Sequence, residues 1–371
     1  MTSFTVDTKI FEKALASVYP IVPNKPSRDV LKGVKIIAKS GATDTLELLV
    51  TDLETYAKAS VKTDVIVQKA GEVVVPAQIL FDYVKSLSAQ NIELRATDEE
   101  TVKVNESGTE FEVGIKDLDE FPEFPEIPKG INWIELSSAN VSHALSRVGF
   151  AVADRGHPRW GALSAICMDF DKDKITMIGT DQHRASLVEV EADTKLSDKQ
   201  FLVSAKALAL LPKVLDGDIK VSVGSKNAVI LTDGDNYLFV RLMHGQYPPV
   251  RKIVPKKHPN MLAIETKLLL HQVRKASLAT DQHGTLRMSL SKDKLLLQTK
   301  TREQNRVAKI EQDVVYSGPD AKFAFNCKYL LELLKAADNN EELEIHFNKS
   351  NNPVLFKQTN FDHVMVPLEV R

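Results

Sequence analysis

The chain has 371 residues, with 48 Lys and Arg against 50 Asp and Glu, and 43% of its residues are hydrophobic. That balance is globular and excludes disordered, collagen-like and membrane classes; at roughly 100–200 residues per domain it predicts two or three domains. A net charge of −2 excludes a uniformly basic nucleic-acid binder, although charge can still be segregated between surfaces.

From the N-terminus, residues 3–22 read as a short alternating strand running into an amphipathic helix over 8–20. This segment lacks a signal-peptide core and a membrane-length apolar run, so neither export nor insertion is predicted. Residues 46–61, around VTDLE, read as strand, polar turn and return strand, and 73–94 as strand, helix over 77–89, turn and strand. The proline cluster FPEFPEIPKG (121–130) breaks the pattern, and the same order then restarts. It gives a helix over 139–153, a strand pair over 175–190 around TDQHR, and a helix over 205–215 that Pro212 should kink or end. After a second proline-rich stretch (246–259) come a helix over 266–280, a strand pair over 295–310 and a helix over 327–337. Three features recurring in one order predict a threefold duplication. The expected domains are 1–129, 130–256 and 257–371, each an α+β unit with two helices packed on antiparallel sheets.

The six helices carry Lys9, Lys13, Lys85, Arg147, Lys206, Lys213, Lys267, Arg274, Lys275, Lys328 and Lys335, opposed only by Glu12, Asp82 and Glu332. In the third repeat Lys267, His271, Arg274 and Lys275 form a stripe beside the apolar face of Leu269, Leu270, Val273 and Ala276. One basic helix is usually just a solvated face, but six equivalent helices biased to one sign favour a phosphate-facing surface. Arg147, Lys206, Lys267, Arg274, Lys275 and Lys328 are the candidates for sequence-independent, salt-sensitive contact with phosphates.

Catalytic signatures for phosphate loops, zinc proteases, serine nucleophiles and dinucleotides are absent from the sequence. Cys167 and Cys327 form no CxxC pair, which excludes a disulfide framework or cysteine zinc site and fits a reducing cytoplasm; Cys167 is expected in the core. No metal or cofactor is expected. The group Thr180-Asp181-Gln182-His183-Arg184 compresses an acid, a possible base and a cation, but it reads better as a turn in which Asp181 caps backbone and Arg184 pairs with a carboxylate.

VTDLE (50–54), TDQHR (180–184), HGQYPPVRKIVP (244–255), FAFNCKYLLELL (323–334) and VMVPLEVR (364–371), in this order and spacing, resemble the bacterial DNA polymerase III beta subunit, the sliding-clamp family, from end to end. The resemblance implies three repeated clamp domains per chain and a head-to-tail homodimer forming a six-domain ring, sheets outside and helices lining a hole for duplex DNA. It implies a cytoplasmic, non-catalytic processivity factor for DNA replication that tethers the replicative polymerase, clamp loader and repair proteins. Lys25 takes a DNA-contact role by resemblance, as do Arg159 and Trp160, which stand near the family's Arg–Tyr–Tyr loop with Gly161 or Ala162 replacing the second aromatic.

The resemblance also implies a pocket for a partner peptide at Leu163, Thr180, His183, Arg184, Pro248, Lys252, Ile253, Val364, Met365, Pro367 and Leu368. An apolar cleft with polar rims suits an extended peptide with one or two hydrophobic anchors. Phe111 and Val113 match one side of the family's dimer seam and Leu278 the other. Gln182 and Ala185 stand where the family's turn carries Gly and Leu, Val366 replaces a Met, and Glu369 occupies a commonly basic position. These departures leave open a divergent scaffold that keeps the pocket without encircling replication DNA; an enzyme using Asp181, His183 and Arg184 is the third and weakest alternative.

Overall fold

The structure is a computed structural model and describes residues 2–97, 100–106, 108–153, 158–254, 259–280, 284–301, 306–349 and 351–369. The chain forms two compact units, 1–142 with 206–242, and 143–205 with 243–371. Its helices are α1 (Thr8–Val18), α2 (Ala77–Ser86), α3 (Ser138–Val148), α4 (Ala205–Leu208), α5 (Leu211–Val214), α6 (Thr266–Ser277) and α7 (Cys327–Ala336). Five of the six expected helices are continuous. The helix expected over 205–215 is broken into α4 and α5, with Pro212 in the first turn of α5. A proline there has no N–H to give the preceding turn and its ring clashes with the carbonyl four residues earlier, so one long helix cannot form. Among the described residues no helix is long and apolar enough to cross a membrane.

In the first unit, one antiparallel sheet has the strand order 65–69, 3–7, 91–96, 101–106, 109–114. A second ladder runs 134–137, 218–223, 228–232, 237–243, 55–61, 45–51, 33–39, 71–76. Strand alternation buries Ile36, Leu46 and Leu48 on one face, where Phe11 and Leu15 of α1 are also buried. Asp7 caps α1 by accepting the Lys9 and Ile10 N–H groups. The proline-rich stretch is pinned here: Phe121 is buried with Val30, Leu31 and Val74, and Phe124 meets the Tyr56 and Tyr237 rings edge-on. Trp133 packs against the cluster of Tyr56, Ile230 and Phe239.

The second unit repeats the plan. One ladder runs 260–265, 342–347, 354–358, 361–365, 184–191, 174–180, 165–170, 199–204, and a four-stranded sheet runs 306–313, 294–301, 285–291, 321–326. Asn326 caps α7 as Asp7 caps α1, accepting the Lys328 and Tyr329 N–H groups. The middle repeat supplies strands to both units. Within the first unit its strand 237–243 pairs with 55–61 of the first repeat, and within the second its strand 184–191 pairs with 361–365 of the third. Repeats are the copied unit; these ladders set which halves compact together.

Candidate functional site

The site is built on the turn after strand 174–180. Asp181 accepts the backbone N–H groups of His183 (3.0 Å) and Arg184 (3.1 Å), and the Thr180 hydroxyl donates to the Arg184 carbonyl at 2.7 Å. This geometry forces Gln182 into the left-handed region at φ 76°. A residue unsuited to that region follows the same path a glycine would take, because the side-chain caps on either side hold it.

Arg184 is buried and fully engaged. Its Nε donates to Asp181 at 3.0 Å, one terminal nitrogen to Glu332 at 2.6 Å and the other to the Phe150 carbonyl at 2.7 Å. Its guanidinium stacks on the Tyr329 ring at 3.9 Å and lies 5.3 Å from the Phe150 ring. Gly179 makes this approach possible: a Cβ there would lie 2.3 Å from the Val148 carbonyl, so a side chain would push away the end of α3 and with it Phe150. Sequence reasoning did not connect Glu332, Tyr329 or Phe150 with Arg184, because they lie 34 or more residues away in the chain. The signal available was Glu332 itself, an acid on an otherwise basic set of helices.

The ladder from 184–191 to 361–365 pairs Arg184 with Met365, and beyond it the Val366 N–H donates to the His183 carbonyl and the Leu368 N–H to the Ala324 carbonyl. The tail is thereby carried past the turn. Against this ladder Val250, in the 3-10 turn Val250–Lys252, is buried with Ala165, Cys167, Ile178 and Ala185, and Ala162, Tyr247 and Val254 pack against them. The Tyr247 hydroxyl donates to the Ile178 carbonyl at 3.0 Å, and burial pushes its acidity well below that of a free phenol. Burial also pushes the Cys167 thiol up to about 12, an inert core group. Below the tail His363 is fully enclosed, hydrogen-bonded through Nδ1 to the Ser186 hydroxyl at 2.7 Å; burial first, and the Arg184 charge second, bring it down to about 3.

Of the expected pocket residues, Leu163, Thr180, Arg184, Val364 and Met365 are buried, Pro248 and Pro367 are half-buried, and His183, Lys252, Ile253 and Leu368 are exposed. Ile253 is 47% and Leu368 40% exposed, large apolar side chains left in water. The expected catalytic trio is a structural arrangement: Asp181 and Arg184 neutralise each other while the His183 backbone serves the turn.

Lys25, Lys206, Lys267, Arg274, Lys275 and Lys328 are exposed, as expected of phosphate contacts, and so are Lys9, Lys13, Lys85, Lys213 and Lys335. Arg147 departs from the expectation. It is only 5% exposed, with its guanidinium 5.2 Å from the Phe361 ring, so it is withdrawn from the open basic surface. The cause is its helical position, three residues after buried Ala144 and beside buried Val148, on the margin of the apolar face. Arg159 and Trp160 fall in the short 3-10 segment Pro158–Ser164, but their side chains lie outside the described residues. At the expected seam, Leu278 stands 75% exposed and Phe111 stacks on Tyr83 at 4.0 Å, whereas Val113 is buried by its own chain.

Comparison with known proteins places these features in one family. Residues 2–125, 135–249 and 251–369 match, in order, the N-terminal, central and C-terminal domains of the DNA polymerase III beta subunit. The beta sliding clamps of Staphylococcus aureus strain Mu50 and of a Staphylococcus epidermidis strain are each 24% identical, covering 98% of this chain and 97% of theirs. The crystal structure of the Bacillus subtilis DNA polymerase sliding clamp superimposes with a TM-score of 0.89 at 19% identity, covering all of both chains. A Pseudomonas aeruginosa sliding clamp bound to griselimycin gives 0.89 at 22% identity, again covering all of both chains. Three domains of one family in sequence, spanning almost the whole chain and folded alike, show that it belongs to the DNA polymerase III beta subunit family, the sliding clamps that serve the polymerase as a non-catalytic accessory subunit.

Proposed function

We propose that two copies of this chain close head to tail into a six-domain ring that encloses duplex DNA in the cytoplasm and carries partner proteins on a peptide pocket. The domains run 1–129, 130–256 and 257–371. Lys25, Lys206, Lys267, Arg274, Lys275 and Lys328 contact phosphates, joined by Arg159 and Trp160 on the family resemblance. Loose, sequence-independent contacts suffice because a closed ring prevents escape sideways; such contacts weaken steeply with salt. The seam uses the edge strand 109–114, with Phe111 and the backbone of Val113, against the exposed Leu278 of the second copy.

The observation that supports the pocket is the Val366 N–H bond to the His183 carbonyl, which ties the tail to the turn, together with the exposure of the large apolar side chains Ile253 and Leu368. Those two side chains are the anchors' partners, and Leu163, Thr180, Val364, Met365, Pro248 and Pro367 shape the cleft around them. Arg184 fixes the frame, with His183 and Lys252 as its polar rim. The left-handed Gln182 holds the turn's path, so the departure from glycine alters strain without removing the site.

The test is fluorescence anisotropy of a labelled clamp-binding peptide. Ile253→Asp and Leu368→Asp, both at exposed positions, should each weaken binding by at least about tenfold while leaving the dimer mass unchanged. Wild-type peptide affinity in both variants contradicts the pocket. A strictly monomeric mass at high concentration contradicts the ring.

A further inference from the structure

The burial of Arg147 leaves a charge without a counter-ion. Its Nε is sealed from solvent and has no hydrogen-bond partner, and no carboxylate comes within ion-pair distance of its guanidinium among the described residues. Glu341 and Asp338 act on it only at longer range, and their attraction is secondary to the burial that opposes its charge. An arginine enclosed in this way is unfavourable unless something pairs with it. The Phe361 ring at 5.2 Å offers a face but no acceptor.

Arg147 is not enclosed on every side. It lines a cleft of about 580 Å³ together with His143 and Ser146 of α3, Lys335 of α7, and Asn339 and Asn340 just beyond α7. Lys335 and His143 are exposed, and Lys335 makes no ion pair among the described residues. Of the two carboxylates in the wall, Glu332 is paired with Arg184 at 2.6 Å, while Asp338 accepts the Asn340 N–H at 2.8 Å and keeps its charge. A buried guanidinium and an ammonium without an ion pair among the described residues line this cleft, with one of its two acids paired to Arg184.

We propose that this cleft is a binding site for a phosphate group, with Arg147 as its floor and Lys335 at its mouth. A guanidinium fork matches phosphate oxygens in a way an ammonium does not, and a desolvated one gains most from an anion that brings its own charge. The group can arrive as inorganic phosphate or as a phosphodiester of DNA. In the second case the site rests on the clamp reading; in the first it does not.

The experiment uses the full-length chain and inorganic phosphate, with chloride at matched ionic strength as control. The Nε–H resonance of Arg147 in a ¹⁵N-arginine spectrum should shift on phosphate addition, and the melting temperature should rise with phosphate concentration, as expected for a ligand that binds only the folded state. Arg147→Met should remove the saturable part of the phosphate-dependent rise, leaving the unsaturable stabilisation that an excluded salt gives any folded protein, and Lys335→Gln should weaken phosphate binding by about tenfold. Arg147→Lys, which keeps the charge and loses the fork, should fall between the two. Competition by a short duplex that releases phosphate assigns the source to DNA, and indifference to the duplex assigns it to the free ion. A saturable phosphate effect that persists in Arg147→Met overturns the proposal, as does wild-type protein whose Arg147 resonance ignores phosphate and whose melting temperature shows no saturable rise. Because neither ring loading nor peptide binding is measured, failure here is distinct from failure of the clamp reading.

Discussion

Thr51-Asp52-Leu53-Glu54-Thr55 in the first unit and Thr180-Asp181-Gln182-His183-Arg184 in the second are the same turn. In each the Asp accepts two backbone N–H groups, the Thr hydroxyl accepts a third, and the middle residue sits at φ 76°. The turn Thr232–Asn236 repeats the plan with Gly234 in the left-handed position. What separates them is the residue that follows. Thr55 simply continues its strand, whereas Arg184 reaches out to Glu332, the Phe150 carbonyl and the Tyr329 ring. The turn is scaffold in every copy, and the proposed pocket exists only at the copy whose last residue is the buried Arg184, paired with Glu332 of the third repeat.

Removing that residue should separate the copies most sharply. Arg184→Ala strips a buried charge from Asp181 and Glu332 and should destabilise by about 4 kcal/mol, whereas Thr55→Ala should cost only about 1 kcal/mol, both read by urea unfolding. Equal losses would mean that Arg184 contributes only as turn backbone.

A pH titration sharpens the same contrast. His363, beneath Arg184, has its proton affinity lowered from 6.5 to about 3 on folding, so the unfolded chain binds the proton more readily. Its contribution to stability is complete above about pH 6.5 and is lost as pH falls towards about 3, at up to about 1.4 kcal/mol per pH unit. His363→Gln should flatten that slope in unfolding curves taken between pH 6.5 and 4; an unchanged slope would show that His363 is not the group responsible.

Asp52→Ala should cost about 1 kcal/mol, the loss of a cap. Asp181→Ala should cost more, because it also leaves Arg184 short of a partner. The smallest effect is a gain: Gln182→Gly relieves a left-handed side chain and should stabilise by up to about 1 kcal/mol, whereas Leu53→Gly should gain less because Leu53 packs on the Val30, Leu31 and Phe121 cluster. Differential scanning calorimetry resolves the order.

The repeat, the helices and the turn were legible because each rests on local pattern: apolar spacing, proline, and Asp or Asn at a cap. Pro212 announced the break between α4 and α5 for the same reason. The burial of Arg147 was not legible because helix periodicity leaves the margin of the apolar face undecided, and there the Phe361 ring, more than two hundred residues away in sequence, settles the side chain. The partners of Arg184 were illegible on the same ground. Even the pairing of strand 184–191 with 361–365 depends on tertiary contacts that no window of sequence contains.

The central claim is retention by enclosure. Clamp assembled by its loader on closed circular duplex should stay bound through a wash at raised salt, and should be released once the circle is cut to a line with free ends. Equal persistence on circular and linear DNA, or equally rapid loss from both, would contradict it.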